Sequence, residues 1–242
     1  MDMKANSGIA RQFRSIVVPL LEFVYPSACL SCVCALPHDQ KHVCRVCWDS
    51  MARLSQLDPL FEETKGKLCL DGKVDMLESV YVFDERGVIR SLVHALKYQG
   101  RASVGIMLGV EVGDKMIQEG IGGDFLVPVP LHRIKERERG YNQAELIGSG
   151  ISQATGIPCL ARVVSRRKHT ETQTLLSIEE RKRNMEDAFV VRQKLASEVR
   201  GATCILVDDV ITTGSTILAC ASVLKEAGAR RVIAASIALA KR

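Results

Sequence analysis

Ile205-Leu-Val-Asp208-Asp209-Val-Ile-Thr212-Thr213-Gly214-Ser215-Thr216 runs from an apolar strand through two acids and a hydroxyl-rich loop into the start of a helix. No other stretch restricts the fold so strongly. A helix N-terminus presents free backbone N–H groups and the positive end of its dipole to an anion. Gly214 allows a close approach of backbone to phosphate. Thr212, Thr213, Ser215 and Thr216 supply hydroxyl donors and caps. Two carboxylates just upstream suit sugar hydroxyls, which donate to them, or a developing cation. A plain capped turn explains one acid and one hydroxyl. It poorly explains two acids, four hydroxyls and a glycine in nine consecutive positions. No Gly-Lys-Ser/Thr follows, so the segment is not a Walker loop.

The surrounding texture agrees with an α/β fold. From about Leu77 onward, strand and helix signals alternate. Strands are predicted at Glu78–Phe83, Phe125–Val129, Cys204–Val207 and Arg231–Leu239. Helices are predicted at Glu85–Tyr98, Ala102–Gln118, Asn142–Thr155 and Thr216–Glu226. Strands alternating with such helices predict a parallel sheet with helices on both faces. The organisation expected is an amphipathic leader helix at 1–28, a cysteine module at 29–51, a polar linker at 52–76 and the α/β domain at 77–242. In the leader, Ile16, Leu20 and Phe23 recur at helical spacing.

Cys29-Leu-Ser-Cys32 and Cys44-Arg-Val-Cys47 are two C-x-x-C units separated by eleven residues. Two knuckles with two thiolates each are what a tetrahedral Zn²⁺ requires. So short a zone has no core of its own, so the metal would supply its folding energy. Cys29, Cys32, Cys44 and Cys47 are the expected ligands of a structural Zn²⁺. Cys34, His38 and His42 lie in the same region as alternative ligands, and paired redox thiols are the competing reading. Cys204 and Cys220 fall in apolar patterns and read as small core residues.

The 242 residues carry 33 Lys+Arg against 28 Asp+Glu, a net charge of +5, which permits an anionic ligand without demanding nucleic acid. With 47% hydrophobic and 25% charged residues, wholesale disorder is excluded. The run Ile16–Leu30 is too short for a bilayer and is interrupted by Pro19, Glu22 and Pro26, so no membrane span is expected. Glu22 also argues against a signal peptide. The expected setting is cytoplasmic and reducing, where clustered thiols mean metal or redox chemistry. Basic residues gather at Arg133, Lys135, Arg137 and Arg139, at Arg166–Lys168 and at Arg181–Arg183. Solvated faces account for most of them, and a few suit pyrophosphate.

The acid–loop segment closely resembles the phosphoribosyl diphosphate (PRPP) motif of type I phosphoribosyltransferases. Nearly end to end, the chain resembles the ComF family of competence-associated proteins, a four-cysteine zinc finger followed by a phosphoribosyltransferase-like domain. The matching stretches are Cys29–Cys47 with Trp48, Ala95–Gly100, Val127–Arg133 running into Arg139–Ala144, Thr172-Gln173 with Arg181 and Asn184, Ala188-Phe189, and Leu206–Thr216.

The resemblance implies a Rossmann-like parallel sheet with flanking helices behind a small zinc-finger module, and a ligand at the carboxyl ends of the strands. It implies that Asp208 and Asp209 hold the ribose hydroxyls, and that Thr212, Thr213, Gly214, Ser215 and Thr216 hold the 5′-phosphate. The turn after Pro130 would meet pyrophosphate, and residues 166–183 would form a hood. Arg139 and Arg181 would be catalytic partners of the acids, with Lys97 a further candidate. Mg²⁺ would accompany PRPP. The implied role is in DNA uptake, either as a pentosyl transferase or as a non-enzymatic PRPP-binding protein. Expected partners are single-stranded DNA or DNA-uptake and recombination proteins.

Overall fold

The computed structural model describes residues 27–166 and 188–241. Residues 1–26 of the leader helix expected at 1–28 lie outside the described residues. The chain divides into two compact units, the first ending at Ser50 and the second beginning at Met51.

In the first unit, the two C-x-x-C segments are followed by a short helix α1 (Arg45–Asp49). The first segment folds into a knuckle in which the Val33 N–H donates to the Cys29 carbonyl at 3.0 Å and the Cys29 N–H to the Cys34 carbonyl at 2.8 Å. Val33 is forced to φ 62°, a left-handed conformation costly for a β-branched residue.

The second unit is built on β1 (Met76–Phe83), β2 (Phe125–Pro128), β5 (Thr203–Ile211) and β6 (Arg231–Ala240). They form one parallel sheet in the order β1-β6-β5-β2, with a separate antiparallel pair of β3 (Val164–Arg166) and β4 (Phe189–Val191). Cys204–Val207 and Val232–Leu239 are buried almost without interruption, as central parallel strands covered on both faces must be.

The helices are α2 (Pro59–Cys69), α3 (Val88–Tyr98), α4 (Ala102–Gln118), α5 (Arg133–Arg139), α6 (Gln143–Thr155), α7 (Ala196–Val199) and α8 (Ser215–Glu226). Helix α3 turns Ile89, Leu92, Val93 and Leu96 inward at helical spacing. Helices α4 and α6 meet backbone to backbone. A Cβ on Gly109 would lie 2.2 Å from the Ile147 carbonyl oxygen, and one on Gly150 would lie 2.1 Å from that of Ile106. Only glycine permits that approach.

The stretch expected to be a linker, 52–76, is part of the fold. Leu54 donates its N–H to the Val80 carbonyl at 2.8 Å and Ala52 accepts from the Val82 N–H at 2.9 Å, closing the β1 edge. Helix α2 follows, with Asp58 Oδ1 accepting from the Leu60 N–H at 2.8 Å, Pro59 at its first position, and Phe61 and Leu68 buried. Its two buried positions lie among Glu62, Glu63, Lys65 and Lys67, and the polar majority masks the periodicity. Strand β5 also runs four residues beyond the predicted Val207, so both acids lie within the strand. No helix among the described residues is long and apolar enough to cross a membrane.

Candidate functional site

Parallel pairing sets the site. Pro128 lies opposite Val207, and the Val129 N–H donates to the Val207 carbonyl at 2.9 Å. The turn that follows, Pro130–His132, therefore opens beside Asp208 and Asp209. On the other side of β5, Asp208 is in register with Ser236 of β6.

Because successive strand side chains alternate, the two acids leave β5 on opposite faces. Asp209 Oδ2 pairs with Lys97 Nζ at 2.8 Å, near the end of α3. Asp208 lies toward α8, where burial first and then this carboxylate push the Cys220 thiol up. Burial and the neighbouring Asp209 push Asp208 itself up to about 7, against the opposing pull of the Asp209 N–H and Lys97. That N–H donates to Asp208 Oδ1 at 2.8 Å, and the Val210 N–H donates to Asp209 Oδ1 at 2.7 Å.

The hydroxyl loop wraps directly onto α8. Gly214 precedes the helix at φ 75°, and its carbonyl accepts the Leu218 N–H at 2.9 Å. Thr213 Oγ1 and Ser215 Oγ share a hydrogen bond of 2.8 Å, and the Ser215 N–H donates to Thr213 Oγ1 at 3.3 Å. Thr212 and Thr213 line a cavity of about 340 Å³ whose other wall is α2 through Leu60, Lys67 and Leu68.

The stretches 95–100, 127–133 and 139–144 converge. Arg139 Cζ stacks 5.3 Å above the Tyr98 ring, next in sequence to Lys97. The Tyr141 hydroxyl donates to the Leu96 carbonyl at 2.6 Å, and Asn142 Nδ2 donates to the Val129 carbonyl at 3.0 Å. Asn142 also caps α6 by accepting the Ala144 N–H at 3.1 Å. These contacts tie the end of α3 to the turn after β2.

A second cavity, about 560 Å³, lies beyond that turn and is lined by Arg133, Arg162, Arg166 and Arg192 among others; neither Asp208 nor Asp209 lines it. Arg162 and Arg192 were invisible to sequence reading, since neither sits in a basic run. Arg162 adopts φ 69°, a strain that only the structure reveals. Arg166 also stacks 5.0 Å above the Phe189 ring. Thr172, Gln173, Arg181 and Asn184, with the rest of the expected hood from 167 to 183, lie outside the described residues.

In the first unit, the sulfurs of Cys29, Cys32, Cys44 and Cys47 all lie within 4.8 Å of one another. Four sulfurs held about 2.3 Å from one tetrahedral zinc are about 3.8 Å apart. The 3.6 Å between Cys32 and Cys44 fits that edge. The donor set is therefore one that could hold a metal ion, and it suits Zn²⁺. Burial pushes the Cys29 thiol up, but the N–H groups of Cys32, Cys44 and Ser31 outweigh it and bring it down to about 6. The Cys44 N–H reaches Cys29 Sγ at 3.4 Å. Cys34, His38 and His42 stand outside the four-sulfur group.

The family model for the phosphoribosyl transferase domain matches residues 144–242. Competence protein F of Haemophilus influenzae is 38% identical over 109 residues, 45% of this chain and 47% of that protein. DNA utilization protein YhgH of Escherichia coli K12 is 32% identical over 169 residues, 68% of this chain and 73% of that protein. Competence protein ComFC of Bacillus subtilis is 35% identical over 105 residues, 43% of this chain and 39% of that protein. The matches to the two competence proteins thus span less than half of each.

A parallel sheet of this kind, with the acid pair feeding a hydroxyl loop and a four-cysteine unit ahead of it, defines a phosphoribosyltransferase-like protein with a candidate metal module. The chain belongs to the ComF family.

Proposed function

We propose that this chain binds PRPP at the carboxyl end of β5 and serves DNA uptake, as the names of its relatives suggest. The observation that carries the reading is one continuous path. Asp208 and Asp209 follow the unbroken buried run that ends at Val207 in β5, Lys97 pairs with Asp209 at 2.8 Å, and the loop from Thr212 leads into α8. A 5′-phosphate would take the loop hydroxyls and the first N–H groups of α8, while ribose hydroxyls would donate to the acids.

In turnover, a nucleophile would displace pyrophosphate at the anomeric carbon through a transition state of oxocarbenium character. Asp208 and Asp209 would stabilise that cation, and Arg139 with Arg181 the departing charge. Mg²⁺ accompanying PRPP would supply neutralisation of the leaving group's charge. Zn²⁺ on Cys29, Cys32, Cys44 and Cys47 is structural in this reading.

The test is calorimetry of PRPP with Mg²⁺ against wild type and the double variant Asp208→Asn, Asp209→Asn. Binding by the wild type and its loss in the folded double variant are expected; unchanged affinity would overturn the assignment. The four-cysteine unit favours a second reading, in which PRPP is bound without turnover and this unit docks a protein partner or single-stranded DNA. Pyrophosphate release against a panel of bases, nucleosides and single-stranded DNA separates the two. Release with any acceptor supports the transferase, and none supports the binding protein.

A further inference from the structure

The metal-ready cluster holds one thiol too many. Cys34 Sγ lies 3.3 Å from Cys32 Sγ, closer than the spacing of about 3.8 Å between two ligands of one tetrahedral zinc. Cys34 is therefore placed against a ligand rather than as a fellow ligand. The backbone enforces this. Val33, between the two, is held in the left-handed region at φ 62°, and the Cys34 carbonyl is fixed by the Cys29 N–H at 2.8 Å. Two residues apart, the Cys32 and Cys34 Cα atoms are at most about 7 Å from each other, close to the span of a disulfide. Cys32 and Cys34 are both exposed, whereas Cys29 and Cys44 are buried.

We propose that Cys32 and Cys34 form an oxidation site at which a hydroperoxide removes a ligand from the zinc. The proposal rests on the reading that the four-sulfur group holds zinc. The Cys32 thiolate attacks a peroxide oxygen, the O–O bond breaks, and Cys32 becomes a sulfenic acid as water leaves, one proton being drawn from solvent. The Cys34 thiol then attacks the sulfenic sulfur, the S–S bond forms, the S–O bond breaks, and the thiol proton leaves with the hydroxyl as a second water. In sum, one thiolate, one thiol, one hydrogen peroxide and one proton give one disulfide and two waters. Three sulfurs remain for the metal, so the module loses the closed four-ligand site that a structural zinc requires.

The experiment uses the full zinc-loaded chain, purified under reducing conditions and treated with hydrogen peroxide. Zinc release is followed with a chromogenic chelator, and disulfides are mapped by mass spectrometry. The expected result is a Cys32–Cys34 disulfide appearing in step with one zinc released per chain. Cys34→Ser and Cys34→Ala should each retain one zinc and release it at least threefold more slowly at the same peroxide concentration. Release in both variants within threefold of wild type would overturn the proposal, as would a mapped disulfide that omits Cys34. Loss of zinc from both variants before oxidation would overturn it too, because Cys34 would then be a ligand. Wild-type chain without zinc would refute the metal reading, while the disulfide map would still decide the pairing.

Discussion

Lys97 Nζ sits 2.8 Å from Asp209 Oδ2 and joins the end of α3 to the acid end of β5. Both side chains are largely enclosed, at 24% and 12% exposed, so the pair is screened less than a surface ion pair. Removing the lysine leaves an enclosed carboxylate to which the Val210 N–H still donates. Lys97→Met is expected to cost about 2 kcal/mol in urea unfolding at pH 8. Adding Asp209→Asn should return most of that loss, and additive costs in the double variant would show that the two residues are not coupled.

The other acid sets a pH dependence of opposite sense to an ordinary salt-bridged carboxylate. Asp208 is raised from 3.8 to about 7 in the folded chain, first by burial and then by Asp209. The folded state therefore binds this proton more tightly than the unfolded one. Its contribution to stability falls as pH rises from about 4 to about 7, and the full cost of the charge stands above that. Asp208→Asn is expected to be more stable than wild type at pH 8 by on the order of 2 kcal/mol, with the gap closing toward pH 4. Urea unfolding of both proteins across that range checks the sign, and a gap that widens on acidification would refute it.

Much of this arrangement is legible in the chain itself because single stretches carry it. The acids, the hydroxyl loop and the helix start of α8 are consecutive, and buried strands such as Cys204–Val207 read as unbroken apolar runs. What crosses between elements is not legible. The resemblance singles out Lys97 and Asp209 separately, and only the fold pairs them. Arg162 and Arg192 reach the same cavity from separate parts of the chain, with no spacing to announce it. Helix α2 is a different case. Asp58-Pro59 is a helix-start signal, and Phe61 and Leu68 are two turns apart, but the charged residues between them read as linker.

That helix bears directly on the hydroxyl loop. Gly214 has φ 75°, and a Cβ there would lie 2.5 Å from Leu68 Cδ2. Gly214→Ala thus meets two costs, a left-handed backbone and a collision with a buried side chain, together about 2–3 kcal/mol. Leu68→Ala alone should cost about 3 kcal/mol, since Leu68 is fully buried. In the Leu68→Ala background, Gly214→Ala should cost only the backbone part, about 1 kcal/mol. Equal costs of Gly214→Ala in both backgrounds would mean that α2 does not press on the loop.

On the far side of the sheet order, β1 buries a charge that the core must satisfy. Lys115 Nζ lies 2.8 Å from Glu78 Oε1 and donates to the Ser79 carbonyl at 2.8 Å and the Leu54 carbonyl at 3.3 Å. Glu78 Oε1 also accepts the Ser79 N–H at 3.0 Å, while Glu78 Oε2 is buried with no hydrogen-bond partner among the described residues. The carboxylate thus depends on one cation, and that cation also fastens residues 52–54 to the edge of β1. Lys115→Met keeps the length of the side chain and deletes the charge, stranding a carboxylate whose side chain is 1% exposed. The expected loss is about 3–5 kcal/mol, larger than for Lys97→Met because the carboxylate is more deeply enclosed. Glu78→Gln added to Lys115→Met removes the stranded charge and should recover about half of the loss. The remainder is the two carbonyls that lose their donor, at about 1 kcal/mol each. Urea unfolding of the three variants at pH 8 decides it: if the double variant is no more stable than Lys115→Met, the penalty lies in the carbonyls or the packing and not in the Glu78 charge.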